Sequence, residues 1–197
     1  MKKQKLILIS FFFLLFNINH LLSSDQNYLL ISGKPKITDG DTIKINNKKI
    51  RFSGIDAPES FFFGKKQSCF LNNVEILCGK LSKDKLIEKI GNQIVICKIE
   101  KNKDQYSRLI GECFLKNESL SVFMVKNGYA FDYPKYSKGK FRKYQTFAKK
   151  FSLGLWQMQF EYPWIWRKKI DNNENDSKQN YIFIFNFYFI IWLLFNS

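Results

Sequence analysis

Hydrophobic and polar positions divide the chain into a central region and two apolar ends. Near the start, Lys2, Lys3 and Lys5 precede an eleven-residue apolar run from Leu6 to Phe16, interrupted only by Ser10, and a polar stretch then ends in the small residues Ser23 and Ser24. A basic head, a short apolar run and a small-residue exit predict a cleaved export signal over 1–24, because spanning a bilayer takes roughly 20 apolar residues. An uncleaved N-terminal anchor is the alternative. At the other end, Tyr181 to Phe195 is apolar or aromatic except for Asn186. As a helix it reaches about 22 Å, short of a hydrocarbon core of about 30 Å. The tail at 181–197 therefore reads as a membrane-associated segment or as an apolar appendage on the domain or a partner. Residues 168–180 (KKIDNNENDSKQN) have the polar composition of a linker, which bounds one domain at 25–167.

Within that domain the pattern runs strands first and helices later. Tyr28 to Ile37 is a candidate strand interrupted by Gly33 and Pro35. Thr42 to Ile45 and Lys49 to Phe52 flank Asn46-Asn47, a hairpin turn signal. Leu77, Leu81, Leu86, Ile87 and Ile90 mark a helical face ended by Gly91. Gln93 to Glu100 and Arg108 to Lys116 are two further strands joined by a polar turn. Ser119 can cap a helix that turns Leu120, Phe123 and Met124 inward, and Gly128 stops it. Phe141, Tyr144, Ala148 and Phe151 give a last amphipathic helix before Gly154. These elements predict an α+β fold, mainly β: a five-stranded barrel of the oligonucleotide-binding kind, decorated by about three helices.

Charge and cysteine sharpen this picture. There are 32 basic against 17 acidic residues, a net charge of +15, and only four of the basic residues are arginines: Arg51, Arg108, Arg142 and Arg167. A field this positive suits a polyanion, either nucleic acid or an anionic membrane; lysine used as generic surface filler gives the same composition. Cys69, Cys78, Cys97 and Cys113 lie inside the exported region without a CxxC pair. The single histidine, His20, falls in the export signal, which argues against zinc. An even count behind a signal predicts two disulfides. A hairpin centred on Gln105 sets Cys97 opposite Cys113, leaving Cys69 and Cys78 to close a short loop. Four buried thiols are the alternative.

Candidate chemistry concentrates in Asp39-Gly40-Asp41-Thr42 and Ile55-Asp56-Ala57-Pro58-Glu59. Carboxylates on neighbouring strand ends can surround a hard cation, and oxygen donors without His or Cys favour calcium or magnesium. Arg51 and Arg108 supply guanidinium forks nearby. A cation site, a carboxylate for a water and two forks for developing phosphorane charge are what phosphodiester cleavage requires.

Five segments carry a resemblance: ITDGDTIKI (Ile37 to Ile45), IRFSGIDAPES (Ile50 to Ser60), DQYSRLIGEC (Asp104 to Cys113), VKNGYA (Val125 to Ala130) and GLW (Gly154 to Trp156). In this order and spacing the chain resembles the staphylococcal nuclease family, closest to its exported, cysteine-bearing branch. The resemblance implies a calcium ion held by the side chains of Asp41 and Asp56 and the carbonyl of Ala57. Glu59 would position or deprotonate the attacking water, and Arg51 and Arg108 would clamp the phosphate. Tyr106 and Tyr133 would contact the nucleotide, with Asp39 an outlying acid near the metal. Ala57 stands where the family has threonine, which keeps a carbonyl donor and loses a hydroxyl. Ser107 replaces the glycine before Arg108. The implied substrate is DNA and also RNA, with no obligate protein partner. A non-catalytic nucleic-acid-binding barrel attached to a membrane is the alternative, as is a membrane adaptor docking its basic face on lipid.

Overall fold

The computed structural model describes residues 29–104 and 106–173. The expected export signal at 1–24, the turn residue Gln105, the end of the 168–180 stretch and the apolar tail at 181–197 lie outside the described residues. Among the described residues no helix is long and apolar enough to cross a membrane.

The core is a curled sheet in the order β1-β8-β9-β4-β3-β2, with β10 added beside β9. Its strands are β1 (Leu29–Gly33), β2 (Lys36–Asp39), β3 (Thr42–Ile45), β4 (Lys48–Phe52), β8 (Val95–Lys103), β9 (Leu109–Leu115) and β10 (Glu118–Ser119). β4 and β9 run parallel, Ile50 beside Leu109 and Phe52 beside Gly111, and this pairing joins the two antiparallel parts of the half-barrel. The alternation expected of half-buried strands is plain in β8, where Val95, Cys97 and Ile99 point inward between exposed neighbours. The predicted five-strand count becomes six along the sheet because Lys34-Pro35 divides the predicted first strand, described from Leu29 onward, into β1 and β2. Proline supplies no ladder N–H, so the chain crosses from one edge of the sheet to the other at that point.

Asn46 and Asn47 both take positive φ, 47° and 63°, as a two-residue hairpin turn of the primed type requires. Asn72 and Asn73 repeat this conformation between β6 (Cys69–Leu71) and β7 (Val74–Ile76), a hairpin absent from the sequence prediction. The remaining pair, β5 (Ile55–Asp56) with β11 (Phe131–Asp132), is short and wholly buried.

The three predicted helices are α1 (Cys78–Ile90), α2 (Leu120–Lys126) and α4 (Arg142–Lys150). The Ser119 hydroxyl accepts the Val122 amide at 3.3 Å and caps α2 as expected. Two helices were not foreseen: a single turn, α3 (Pro134–Ser137), and α5, which occupies 163–173. α5 continues past the expected domain end and buries Ile170, so the first part of the stretch read as linker belongs to the fold. The face of α1 also differs from expectation. Leu86 and Ile90 are buried, but Leu77 and Ile87 are exposed while Cys78, Gly79 and Ser82 face inward. The Cys69–Cys78 disulfide fixes the first turn of α1 and sets small residues against the loop that follows β5.

Both predicted disulfides are present, Cys69–Cys78 and Cys97–Cys113. From Val95↔Leu115 to Ile99↔Gly111 the β8–β9 register keeps each pair equidistant from position 105, which sets Cys97 directly across from Cys113. Replacing both Cys97 and Cys113 by alanine should lower unfolding free energy by about 3 kcal/mol on the chain-entropy account of a 16-residue separation. Denaturant titration of parent and variant under oxidising conditions checks this.

Phenylalanine, tyrosine and tryptophan make up 17% of the sequence, and a second, smaller core accounts for part of them. Phe131 lies under Trp156, Phe160 and Tyr162 with ring centroids 5.5, 4.8 and 5.0 Å away, next to the buried Cys69–Cys78 pair. The chain after the 3₁₀ turn Gly154–Gln157 thereby folds back over β5 and β11.

Candidate active site

The site forms where three short segments meet at the mouth of the half-barrel. The first is the turn between β2 and β3. Asp39 ends β2, and Gly40-Asp41 makes the tight connection to Thr42 beside a register shift in the ladder. The Asp41 carbonyl accepts the Phe52 amide at 2.8 Å, which anchors the turn on β4. The Asp41 carboxylate accepts the Thr42 hydroxyl at 2.8 Å through Oδ1 and the Ala57 amide at 2.9 Å through Oδ2. This second bond ties the turn to the loop after β5.

The end of β5 presents Asp56, and the loop after it presents Ala57 and Glu59. Asp56 is fully buried and Ala57 nearly so. The Glu59 backbone is clasped by Gln67, whose side-chain oxygen accepts the Glu59 amide at 3.1 Å and whose own amide donates to the Glu59 carbonyl at 3.0 Å. Gly79 of α1 passes directly beneath. A β-carbon there would lie 1.9 Å from the Glu59 carbonyl oxygen, so only glycine permits this approach.

Arg51, on β4, joins the two segments. Its Nη1 is 2.5 Å from Asp41 Oδ2 and its Nη2 is 2.5 Å from Asp56 Oδ1, with a further bond of 3.2 Å to the Ile55 carbonyl. One guanidinium thus bridges both carboxylates that the sequence marks as metal donors. Burial alone would raise Asp41, yet Arg51, the Ala57 amide and the Thr42 hydroxyl hold it below the usual carboxylate range. Burial opposes the Arg51 charge as well, and the two aspartates more than offset it.

The remaining acids are less well compensated. Burial, then the charges of Asp41 and Glu59, push Asp39 up to about 8, although its carboxylate accepts the Gly40 amide at 2.9 Å and the Ser60 amide at 3.2 Å. Glu59 is raised by burial and by Asp41, against the lowering effect of Arg167.

Arg108 approaches from the start of β9. Its Nε donates to Asp104 Oδ2 at 2.6 Å and its Nη1 lies 3.4 Å from the Thr42 hydroxyl, which connects it to Asp41. Asp104 also accepts the Tyr106 and Arg108 amides, at 3.0 and 2.9 Å. The turn between them puts Ser107 at φ 60°. A left-handed conformation costs a non-glycine residue about 1–2 kcal/mol, and the three Asp104 bonds offset it. Tyr106 is exposed, its ring 5.3 Å beneath the Arg108 guanidinium.

Tyr133 stands on the opposite side. Its ring stacks on Trp164 at 4.8 Å and 7°, so one face is covered by the protein itself. Burial and then the Asp56 charge raise its hydroxyl.

Comparison with known proteins bears on this arrangement. The family model of staphylococcal nuclease homologues matches residues 49–158, more than half of the chain. The chain belongs to the staphylococcal nuclease family. A probable staphylococcal-like nuclease of Oryza sativa subsp. japonica is 30% identical over 82% of this chain and 38% of its own length. An endonuclease of Bacillus subtilis is 31% identical over 64% of this chain and 12% of its own. An uncharacterized endonuclease of Haemophilus influenzae is 28% identical over 76% and 78% of the two chains. The chain thus spans less than two-fifths of the rice relative's length.

Three contributors escaped the sequence reading. Asp104 carries a legible signal, an acid four residues before an arginine within a quoted motif. Gln67 carries none, being one polar residue in an irregular segment. Arg167 was seen only as one of four arginines, at the expected edge of the domain. On α5 its Nη1 lies 2.5 Å from Glu59 Oε1 and 3.1 Å from Asp56 Oδ1, and its Nη2 lies 2.7 Å from Asp56 Oδ2.

Proposed function

We propose that this protein is a calcium-dependent nuclease that hydrolyses phosphodiester bonds of DNA and RNA outside the cytosol. The observation that carries the reading is the convergence of Asp41 and Asp56 on one positive centre, with Glu59 and a second arginine at its margin. Its membership of the staphylococcal nuclease family supports the same chemistry, and the nuclease names of three relatives agree with it. The two disulfides suit an oxidising compartment, which is where export would deliver the chain.

Among the described residues no three carboxylate, imidazole or thiolate groups form a ready-made metal cage. The donor chemistry nonetheless fits a hard cation. Asp41 and Asp56 offer buried carboxylates, Ala57 adds a carbonyl, and neither sulfur nor imidazole stands nearby. Asp39, Asp41, Asp56 and Glu59 crowd together among Arg51, Arg108 and Arg167, and Asp39 is raised by burial first and then by the charges of Asp41 and Glu59. Asp41, Asp56 and the Ala57 carbonyl would hold the ion, and substrate phosphate and water would complete its shell. When bound, calcium supplies charge neutralisation at the phosphate and favours attack by a water.

The protein's own groups do the rest. Glu59, raised by burial and by the charge of Asp41, takes the proton of the attacking water. Arg51 and Arg108 direct N–H groups at the phosphate oxygens as charge builds on them. The lysine-rich surface attracts the polyanion and confers salt-sensitive affinity.

Plasmid and RNA cleavage, measured with calcium and with excess chelator, tests the reading. Cleavage that chelator abolishes and calcium restores is expected. Full activity in chelator would remove the cation, and tight DNA binding without any cutting would replace the enzyme by a binding module.

A further inference from the structure

Arg167 lies beyond residues 49–158, the span that matches the family, yet its fork grips two acids of the site. Resting on the nuclease reading above, we propose that Arg167 is a positioning residue for the hydrolysis: its guanidinium fixes the directions of Glu59 and Asp56, making α5 part of the active site.

The helix is placed there by contacts that do not involve the acids. Trp164, at its start, stacks between Tyr133 and Tyr162, with centroids 4.8 and 4.6 Å away and planes within 7° and 15°. Ile170 is buried one turn beyond Arg167. Gln67 adds a backbone tie, donating from its side chain to the Glu161 carbonyl at 2.8 Å while it holds the Glu59 amide. Arg167 therefore reaches the carboxylates from an anchored helix, with its side chain only 19% exposed.

The geometry distinguishes this role from charge neutralisation alone. Nη1 is shared between Glu59 Oε1 and Asp56 Oδ1, and Nη2 takes Asp56 Oδ2. A planar fork holding three oxygens on two residues sets their relative orientation, which a point charge does not. With Oε1 engaged, Oε2 remains as the Glu59 oxygen for a proton from water. The same fork sits on both oxygens of Asp56, so it fixes the plane of that carboxylate and by its charge opposes a cation held there. Positioning and metal affinity are thus driven in opposite directions by one side chain.

The test compares parent, Arg167→Gln and Arg167→Lys as full chains. Turnover and KM are measured on DNA, calcium affinity by calorimetry without DNA, and melting temperature by circular dichroism. For Arg167→Gln, kcat should fall about 10–100-fold with KM within about threefold, because a small misplacement of a reacting group costs up to about 10² in rate. Calcium should bind about threefold tighter or more, because a positive charge has left its neighbourhood. Arg167→Lys should lose rate to a similar degree while its calcium affinity stays near that of the parent. A kcat for Arg167→Gln within twofold of the parent overturns the inference, as does full rate in Arg167→Lys, which would reduce the residue to a charge. Joint loss of rate, calcium affinity and melting temperature in Arg167→Gln assigns it a purely structural role and overturns it equally. A parent that binds DNA without cutting it removes the nuclease reading itself; a parent that cuts beside an equally fast Arg167→Gln removes this inference alone.

Discussion

Glu59→Gln is expected to lower turnover by about 10²–10⁴-fold, the range typical of a lost general base, with DNA affinity within about threefold of the parent. The exchange is nearly isosteric. A glutamine oxygen can still accept from Arg167, and Gln67 holds the backbone of residue 59 whatever its side chain. The loss is therefore confined to the ability to take a proton. Removing one of four crowded acids also relieves repulsion on Asp39, which Glu59 helps to raise. The folded state should consequently be as stable as the parent or slightly more so, and a melting curve separates a chemical loss from a folding defect. Single-turnover cleavage in saturating calcium measures the effect. Parent-like rates in Glu59→Gln would transfer the base role to another group.

Much of the architecture was legible because its signals are local. Alternation in Val95 to Ile99, the paired asparagines at 46–47, the Ser119 cap and the equal spacing of Cys97 and Cys113 about position 105 each specify an element within a few residues. The same asparagine signal stands at 72–73 and marks a real hairpin, overlooked because its strands are only three residues long. The face of α1 was misread for a different reason. Hydrophobic periodicity places Leu77 and Ile87 inward, whereas the contact that decides the rotation is steric: Gly79 must lie under the Glu59 carbonyl.

The site was legible in part for similar reasons. Acids and arginines within the β2–β3 turn, β4 and the loop after β5 are neighbours in sequence as well as in space. Arg167 arrives from 108 residues beyond Glu59, and its partner acids are set by the aromatic packing of Trp164, Tyr162 and Tyr133. No local pattern encodes that distance. Composition did carry a hint. In a chain that meets most of its need for positive charge with lysine, arginine marks places where a planar fork is required. Three of the four, Arg51, Arg108 and Arg167, reach this one site, while Arg142 is exposed on α4.

Arg51→Lys should reduce kcat/KM by about 10²–10³-fold, comparable to removing one preorganised donor from a developing oxyanion. In the resting site Arg51 spans Asp41 and Asp56, 2.5 Å from each, so its charge is also what makes two buried carboxylates tolerable side by side. Replacement by alanine would leave them uncompensated, at a stability cost of about 3–5 kcal/mol that would mask any effect on rate. Lysine keeps the charge and gives up the fork. Its ammonium can remain between the two aspartates, so the melting temperature should stay close to that of the parent. It cannot direct two parallel N–H groups at a phosphate while the aspartates hold a cation. Arg108→Lys should behave alike with a milder effect on stability, since Arg108 compensates the half-buried Asp104 instead of the central pair. The measurement is kcat/KM on a short DNA duplex in saturating calcium, with melting curves of both variants alongside. If Arg51→Lys cleaves within tenfold of the parent, the fork is not what stabilises the transition state, and Arg51 serves only to hold Asp41 and Asp56 together.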